Sequence, residues 1–305
     1  MSTINQTIDR LKRSFLVAPD NQPAMTTITT ALTADTGDTA VTFGDFGLVE
    51  DEAYLMAGSI IELDRELVRI VSYDEGTNVA EIVREVDSTP LQAHDAGVTA
   101  VLAPPFPRQS MYEAVGDNIV RLYPRLFTVR VELLAAVGHG VYPLFDELAV
   151  NILSIWPQSQ TAGVSPNYSG EIVDFHPTVN GRAVLSPLTS ESVWVRYRRR
   201  MNRPEDVSDE LFDLGVDPLW EEIIVVGAAA DLSMNADLPY FRADFLGDVA
   251  ENESIRFGSR TSVARALDNK REQLIDQAMR EMRAEYKPVV NRISPWGYKS
   301  NAGVG

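Results

Sequence analysis

The sequence contains no cysteine in 305 residues, which removes disulfides, cysteine-ligated zinc, iron–sulfur clusters and a thiol nucleophile together. A reducing compartment of synthesis is expected. Histidine is scarce: His94, His139 and His176 are far apart in sequence, so no metal-ligand spacing joins them. Long apolar runs are missing too. The longest small-and-apolar stretch, Ile223 to Ala230, has eight residues, where a bilayer crossing takes about 20. No membrane partner is expected. There is also no Gly-rich phosphate loop ending in Gly-Lys-Ser/Thr, no Gly-x-Ser-x-Gly elbow and no His-Glu-x-x-His pair. The sequence therefore assigns no catalytic residue, no metal and no cofactor.

What is present is ordinary globular usage, 45% hydrophobic and 23% charged residues, enough for two or three compact units. The charge is lopsided. With 27 basic and 44 acidic residues the chain carries −17, the wrong sign for gripping a phosphate backbone. Glu205 to Arg256 holds fourteen acids against Arg242 and Arg256, while Arg196, Arg198, Arg199, Arg200 and Arg203 form a basic knot just before it. Solvated surface accounts for either block. The sharper reading is that unlike patches meet between neighbouring subunits, Arg196 to Arg203 on one side and Asp209, Glu210 and Asp213 on the other.

Ile4, Ile8, Leu11 and Phe15 make one apolar stripe of a short amphipathic helix capped by Ser2 or Thr3. Such a helix needs a partner surface. From about Thr26 to Pro104 the texture is Thr, Val and Ile punctuated by Gly and Asp, with strands expected around 40–43, 59–63, 67–73, 79–86 and 98–102. Asp64-Arg65 and Asp74 to Thr77 are the turns between them, which makes an antiparallel hairpin module. Ser110 and Glu113 read as a capping box opening a helix to about Tyr123. A second β-rich unit follows, with strands near 127–133, 148–156, 171–175, 182–185 and 192–198, and Val193, Val195 and Tyr197 alternate with Trp194, Arg196 and Arg198. The last third is helical. Asp217-Pro218 opens one helix with Leu219, Ile223, Val226 and Ala230 inward, and Ser262 to Tyr286 forms another about 37 Å long.

The fold class is thus α+β: small antiparallel barrel- or sandwich-like modules joined to a helical unit with a long C-terminal helix and an extended tail. The boundaries fall at 1–25, 26–108, 109–204, 205–287 and 288–305. Two weak chemical signals remain. Glu62, Asp64 and Glu66 alternate along a hairpin as an acid–base or cation site would, although three exposed carboxylates is the commoner outcome. Asp35, Asp38 and Asp45 match no defined calcium loop.

The segment from Ala31 to Leu122 resembles a module that recurs in virion proteins of tailed phages near the neck. The residues that carry the resemblance are Leu32-Thr33-Ala34, Ile61-Glu62, Glu66-Leu67, Tyr73-Asp74, Arg84, Thr89, Ala93-His94 and Gly97. Where that pattern has Arg-Gly and Gly-Thr, this chain has Arg84-Glu85 and Ser88-Thr89. The second half is similar to neck or adaptor proteins, in which a Val-x-Val-x-Tyr strand (Val193, Val195, Tyr197) leads through an acidic linker to an Ala-rich helix and a long charged helix.

The resemblance implies a head-to-tail connector subunit of the virion neck. It would assemble in the host bacterial cytoplasm into a homo-oligomeric ring, with twelve copies as the expected number. Its partners would be the portal protein above, stopper or tail proteins below, and double-stranded DNA passing without sequence-specific binding. Ile4, Ile8, Leu11 and Phe15, together with Ile293, Trp296 and Tyr298 of the tail, are the expected docking anchors. Asp244, Asp248, Glu251 and Glu253 are the expected channel-facing acids, since a negative wall repels phosphate. The alternatives are a minor tail, collar or baseplate protein, and a carboxylate-dependent glycan hydrolase.

Overall fold

The computed structural model describes residues 2–16, 24–44, 55–135, 141–144, 146–157, 176–177, 183–185, 192–235 and 260–285. Helices and antiparallel sheets build separate cores, and the fold is α+β.

Residues 24–44 and 55–103 form a curled six-stranded sheet. Its strands are β1 (Met25–Thr27), β2 (Ala40–Thr42), β3 (Ile60–Leu63), β4 (Glu66–Asp74), β5 (Val79–Val83) and β6 (Thr99–Leu102), in the order β1-β6-β3-β4-β5-β2. The two outer strands meet. Ile28 bridges Phe43, the Thr29 N–H donates to Thr42 O at 2.8 Å, and the Gly44 N–H donates to Thr27 O at 2.7 Å. Closure of this kind removes the free edges that invite aggregation. Phe43, Ile61, Leu63, Val68, Ile70 and Ile82 fill the interior. The β3–β4 turn is Asp64-Arg65, with Asp64 at φ 54°, and Asp74 holds the next turn by accepting from the Gly76 N–H and the Thr77 hydroxyl.

The second β unit has β7 (Thr128–Leu134), β12 (Val193–Arg199) and β9 (Ala149–Pro157), with β12 in the middle. Beside it β8 (Val141–Pro143), β11 (Ala183–Leu185) and β10 (His176–Pro177) make a smaller sheet. The alternation read along β12 holds: Val193, Val195 and Tyr197 are buried against Leu134, Tyr142, Leu144 and Ile155, while Trp194, Arg196 and Arg198 are half-buried on the other face.

The helical core is made by α1 (Ile4–Leu11) with a π-helical turn over Lys12–Leu16, α2 (Arg108–Val120), α3 (Glu221–Asn235) and α4 (Arg260–Glu285). Helix α3 is central. Ile223 to Ala230 are buried on every side, which is the mark of a helix surrounded by others. Gly227 allows the closest approach, since a Cβ there would stand 2.2 Å from Asn118 Oδ1 on α2 and 2.8 Å from Arg271 Nε on α4. Because α1 and α2 join this core, the boundaries expected at 25/26, 108/109 and 204/205 cut across it.

Two expectations are corrected by packing. Helix α2 begins at Arg108, with Pro107 at the N-cap, and Ser110 lies inside the helix. Leu219 is 77% exposed, because the chain from Pro218 to Trp220 is a 3-10 turn that points it away from the core filled by Trp220. The inward face of α4 is Ala264, Ala266, Leu267, Ile275, Ala278 and Met282, with Val263 and Leu274 packed at its margin.

Candidate functional site

The densest concentration of chemical groups lies at one end of the closed sheet. Glu66, at the start of β4, is fully buried and faces Arg84, just past β5. The guanidinium grips it with two prongs, Nε to Oε1 at 2.9 Å and Nη2 to Oε2 at 2.6 Å. Arg84 spends its remaining donors on the carbonyls of Thr33, Asp35 and Gln92. All five N–H groups of the fork are therefore used. His94 completes the cluster, with Nε2 at 3.0 Å from Glu66 Oε2 and Nδ1 at 3.1 Å from Asp64 Oδ2. Its backbone exchanges two hydrogen bonds with Leu32, each 2.8 Å long.

The electrostatics follow from this geometry. Burial opposes a charge on Glu66, but the hydrogen bonds from His94 and Arg84 outweigh it and hold the carboxyl at about 2. Burial likewise opposes a charge on His94, and the contacts with Asp64 and Glu66 overcome it, so its pKa rises. Asp64 is lowered by its hydrogen bond with His94. The cluster is an imidazole and a guanidinium closed on two carboxylates, with each ring nitrogen and each guanidinium N–H facing an acceptor. It holds loops in place, because Arg84 ties the carbonyls of Thr33, Asp35 and Gln92 to Glu66 on β4.

Glu62 is separate from this cluster. It is 5% exposed on β3, and one oxygen accepts the backbone N–H of Arg108, the first residue of α2. A carboxylate from the sheet thus caps a helix of the neighbouring core, where the helix dipole favours negative charge. Burial pushes its pKa up in spite of this bond. Glu62 also lines an open groove of about 800 Å³ between the sheet, α1 and the 206–208 loop, together with Lys12, Asp64, Arg65, Gln92 and Arg108. Its two arginines are occupied: Arg108 reaches Asn5 and Asp9, and Arg65 stacks on the Tyr112 ring at 4.7 Å.

The expected docking anchors of α1 are corrected by burial. Ile4, Ile8 and Leu11 are 0% exposed and Phe15 is 3%, all within the chain's own helical core, so none is left to hold another protein. Part of the basic knot is spent inside the chain, on acids outside the 205–256 block and on backbone carbonyls. Arg199 pairs with Asp146 and donates to the carbonyls of Phe212 and Asp213, and Arg203 pairs with Asp117 at 3.2 Å. Asp209 accepts the N–H groups of Glu205 and Asp206, and its carbonyl accepts from Ile4. Arg198 lies over the Phe127 ring. Arg200, Glu210 and Asp213 keep exposed side chains. The tail anchors Ile293, Trp296 and Tyr298, the acids Asp244, Asp248, Glu251 and Glu253, and His139 lie outside the described residues.

Sequence reasoning missed the pairing of Glu66 with Arg84 and the capping role of Glu62. The only available signal was that both acids fall among the residues carrying the virion-module resemblance. Those residues come together in space. Leu32 bridges His94, Thr33 receives Arg84, the Leu67 N–H donates to the Thr89 hydroxyl at 2.9 Å, and Gly97 takes φ 95°. Glu85 and Ser88, which stand where the pattern has glycine, hold left-handed backbone at φ 56° and 61°, the conformation glycine adopts without strain.

No protein-family model matches the chain, and no curated protein matches it. Among the described residues no helix is long and apolar enough to cross a membrane, and no group of three or more His, Asp or Glu is arranged to hold a metal ion.

Proposed function

We propose that the chain is a structural subunit of the neck of a tailed-phage virion. In this reading it is a head-to-tail connector that docks below the portal, assembles with copies of itself into a ring and continues the DNA channel toward the tail. It works by shape and contact, without making or breaking bonds.

The observation that supports this reading is the convergence of the resembling residues on one buried cluster. Glu66, Arg84, Thr89 and His94 are spaced 5 to 28 positions apart in sequence, yet each is spent on fastening loops to β4 at one end of the sheet. A pattern whose members hold an architecture is what a reusable structural module requires. Of the carboxylates on which a hydrolase could draw, Glu62, Glu66 and those of the acidic linker, the first two are committed to a helix N-terminus and to a guanidinium.

The test is direct. Electron microscopy of particles carrying an affinity-tagged copy, decorated with gold, is expected to place the label as an annulus at the capsid–tail junction. Purified particles lacking the chain, or label confined to the distal tail, would overturn the reading.

A further inference from the structure

The second β unit has two outer strands that differ sharply. Strand β9 pairs with β12 through register shifts opposite Arg196/Tyr197 and Arg198/Arg199, and it ends in Pro157. Bulges and proline are the usual means of blunting a sheet edge. Strand β7 has neither. It pairs with β12 in unbroken register from Thr128 to Leu134, and among the described residues no strand lies on its other side. Its apolar residues are not hidden: Val131 is 50% and Leu133 40% exposed. A regular, partly apolar edge left open is a template for another strand.

The sequence of β7 says which strand fits. Reading Thr-Val-Arg-Val-Glu-Leu-Leu antiparallel to itself about Val131 sets Val131 against Val131, Val129 against Leu133 and Arg130 against Glu132. An unlike strand would meet two misplaced charges. A second copy meets opposite charges on both sides of the axis and an unbroken Val/Leu row on the outer face, the pairs that favour cross-strand association.

We propose that β7 is a self-pairing edge, through which two copies join antiparallel about Val131 into one continuous six-stranded sheet, β9-β12-β7 running into β7-β12-β9 of the second copy. The contact is isologous and closes after two copies. It therefore stands apart from the ring of the connector reading and describes the free protein. Arg130 also covers the Phe212 ring at 5.2 Å, and Glu132 accepts the Tyr197 hydroxyl at 3.1 Å, so both charges are positioned before pairing.

Sedimentation velocity of the purified chain across micromolar concentrations tests this. Wild type is expected to shift from monomer to dimer, and Val131→Lys, which sets two ammonium groups across the axis, to weaken the dimer at least tenfold. Glu132→Lys should weaken it as well, and Arg130→Glu combined with Glu132→Arg should restore it. Because the chain lacks cysteine, Val131→Cys should oxidise to a covalent dimer, the Cα spacing across an antiparallel pair lying within disulfide range. Val71→Cys, on the closed sheet and 44% exposed, should not. A strictly monomeric wild type, a dimer indifferent to Val131→Lys, or no disulfide at position 131 in variants with native circular dichroism would overturn the proposal. None of these results alters where label appears on particles, so the connector reading is tested separately.

Discussion

The closed sheet and the helical core solve the same problem by opposite means. The sheet buries three polar side chains, Glu66, Arg84 and His94, with the exposed Asp64 at their margin, and uses them to tie the 32–35 and 92–94 loops to β4. The helical core buries a helix that is apolar on every side and meets its neighbours across a single glycine. The first arrangement is specific because a buried charge left without its partner is expensive. The second relies on close fit, where an added methyl group is felt. Two kinds of sensitivity follow, one to charge and one to volume.

The largest expected effect is on the charge side. Arg84→Met leaves the Glu66 carboxylate buried with only His94 opposite, and breaking a buried pair in this way costs about 3–5 kcal/mol. Hydrogen exchange should show β3 to β5 amides losing protection while those of α3 keep theirs. Equal loss in both regions would mean that the two cores unfold as one. Gly227→Ala is the counterpart on the volume side. The new Cβ meets Asn118 and Arg271, and overpacking of this sort costs about 1–3 kcal/mol, against roughly 1 kcal/mol of helix propensity gained. Urea unfolding followed by Trp220, which is buried in that core, should move to lower denaturant; a midpoint that rises would show that the helices separate freely.

The smallest effect is pH dependence, and it should be confined to the sheet. The raised pKa of His94 means its contribution is complete below the ordinary value of 6.5 and is lost as pH rises through the raised one. Glu66 has the opposite sign: its contribution is complete above 4.5 and is lost as pH falls toward about 2. The sheet is therefore expected to be most stable in mildly acidic solution. Protection of its amides should decline in wild type as pH rises through the raised His94 pKa and stay level in His94→Gln. A decline that persists in the variant would assign the titration to another group.

How much of this was legible in the sequence depends on how local the cause is. The strands from Ile60 to Leu102, their turns at Asp64 and Asp74, and the Asp217 cap before α3 are set by residues a few positions apart, and the sequence reading placed them. The start of α2 was misplaced because its cap, Glu62, comes from another strand 46 residues away. Ser110 had the right chemistry and the wrong position. Glu62, Asp64 and Glu66 looked alike along the hairpin, but their fates differ with what the fold sets opposite each: a helix end, an imidazole and a guanidinium. The stripe on α1 was correctly apolar, yet periodicity cannot say whether such a face meets its own chain or a foreign one.

That first helix has a consequence for how the protein is made. Ile4 and Asn5 donate to Asp209 and Val207, Leu211 donates to Ser2, and the Ser2 hydroxyl reaches Glu221, 219 positions further on. At the usual speeds of synthesis, α1 waits on the order of 10 to 40 s for those later residues to leave the ribosome. Through that interval α2 alone can cover part of its apolar stripe, and full burial waits for α3 and the segment before it.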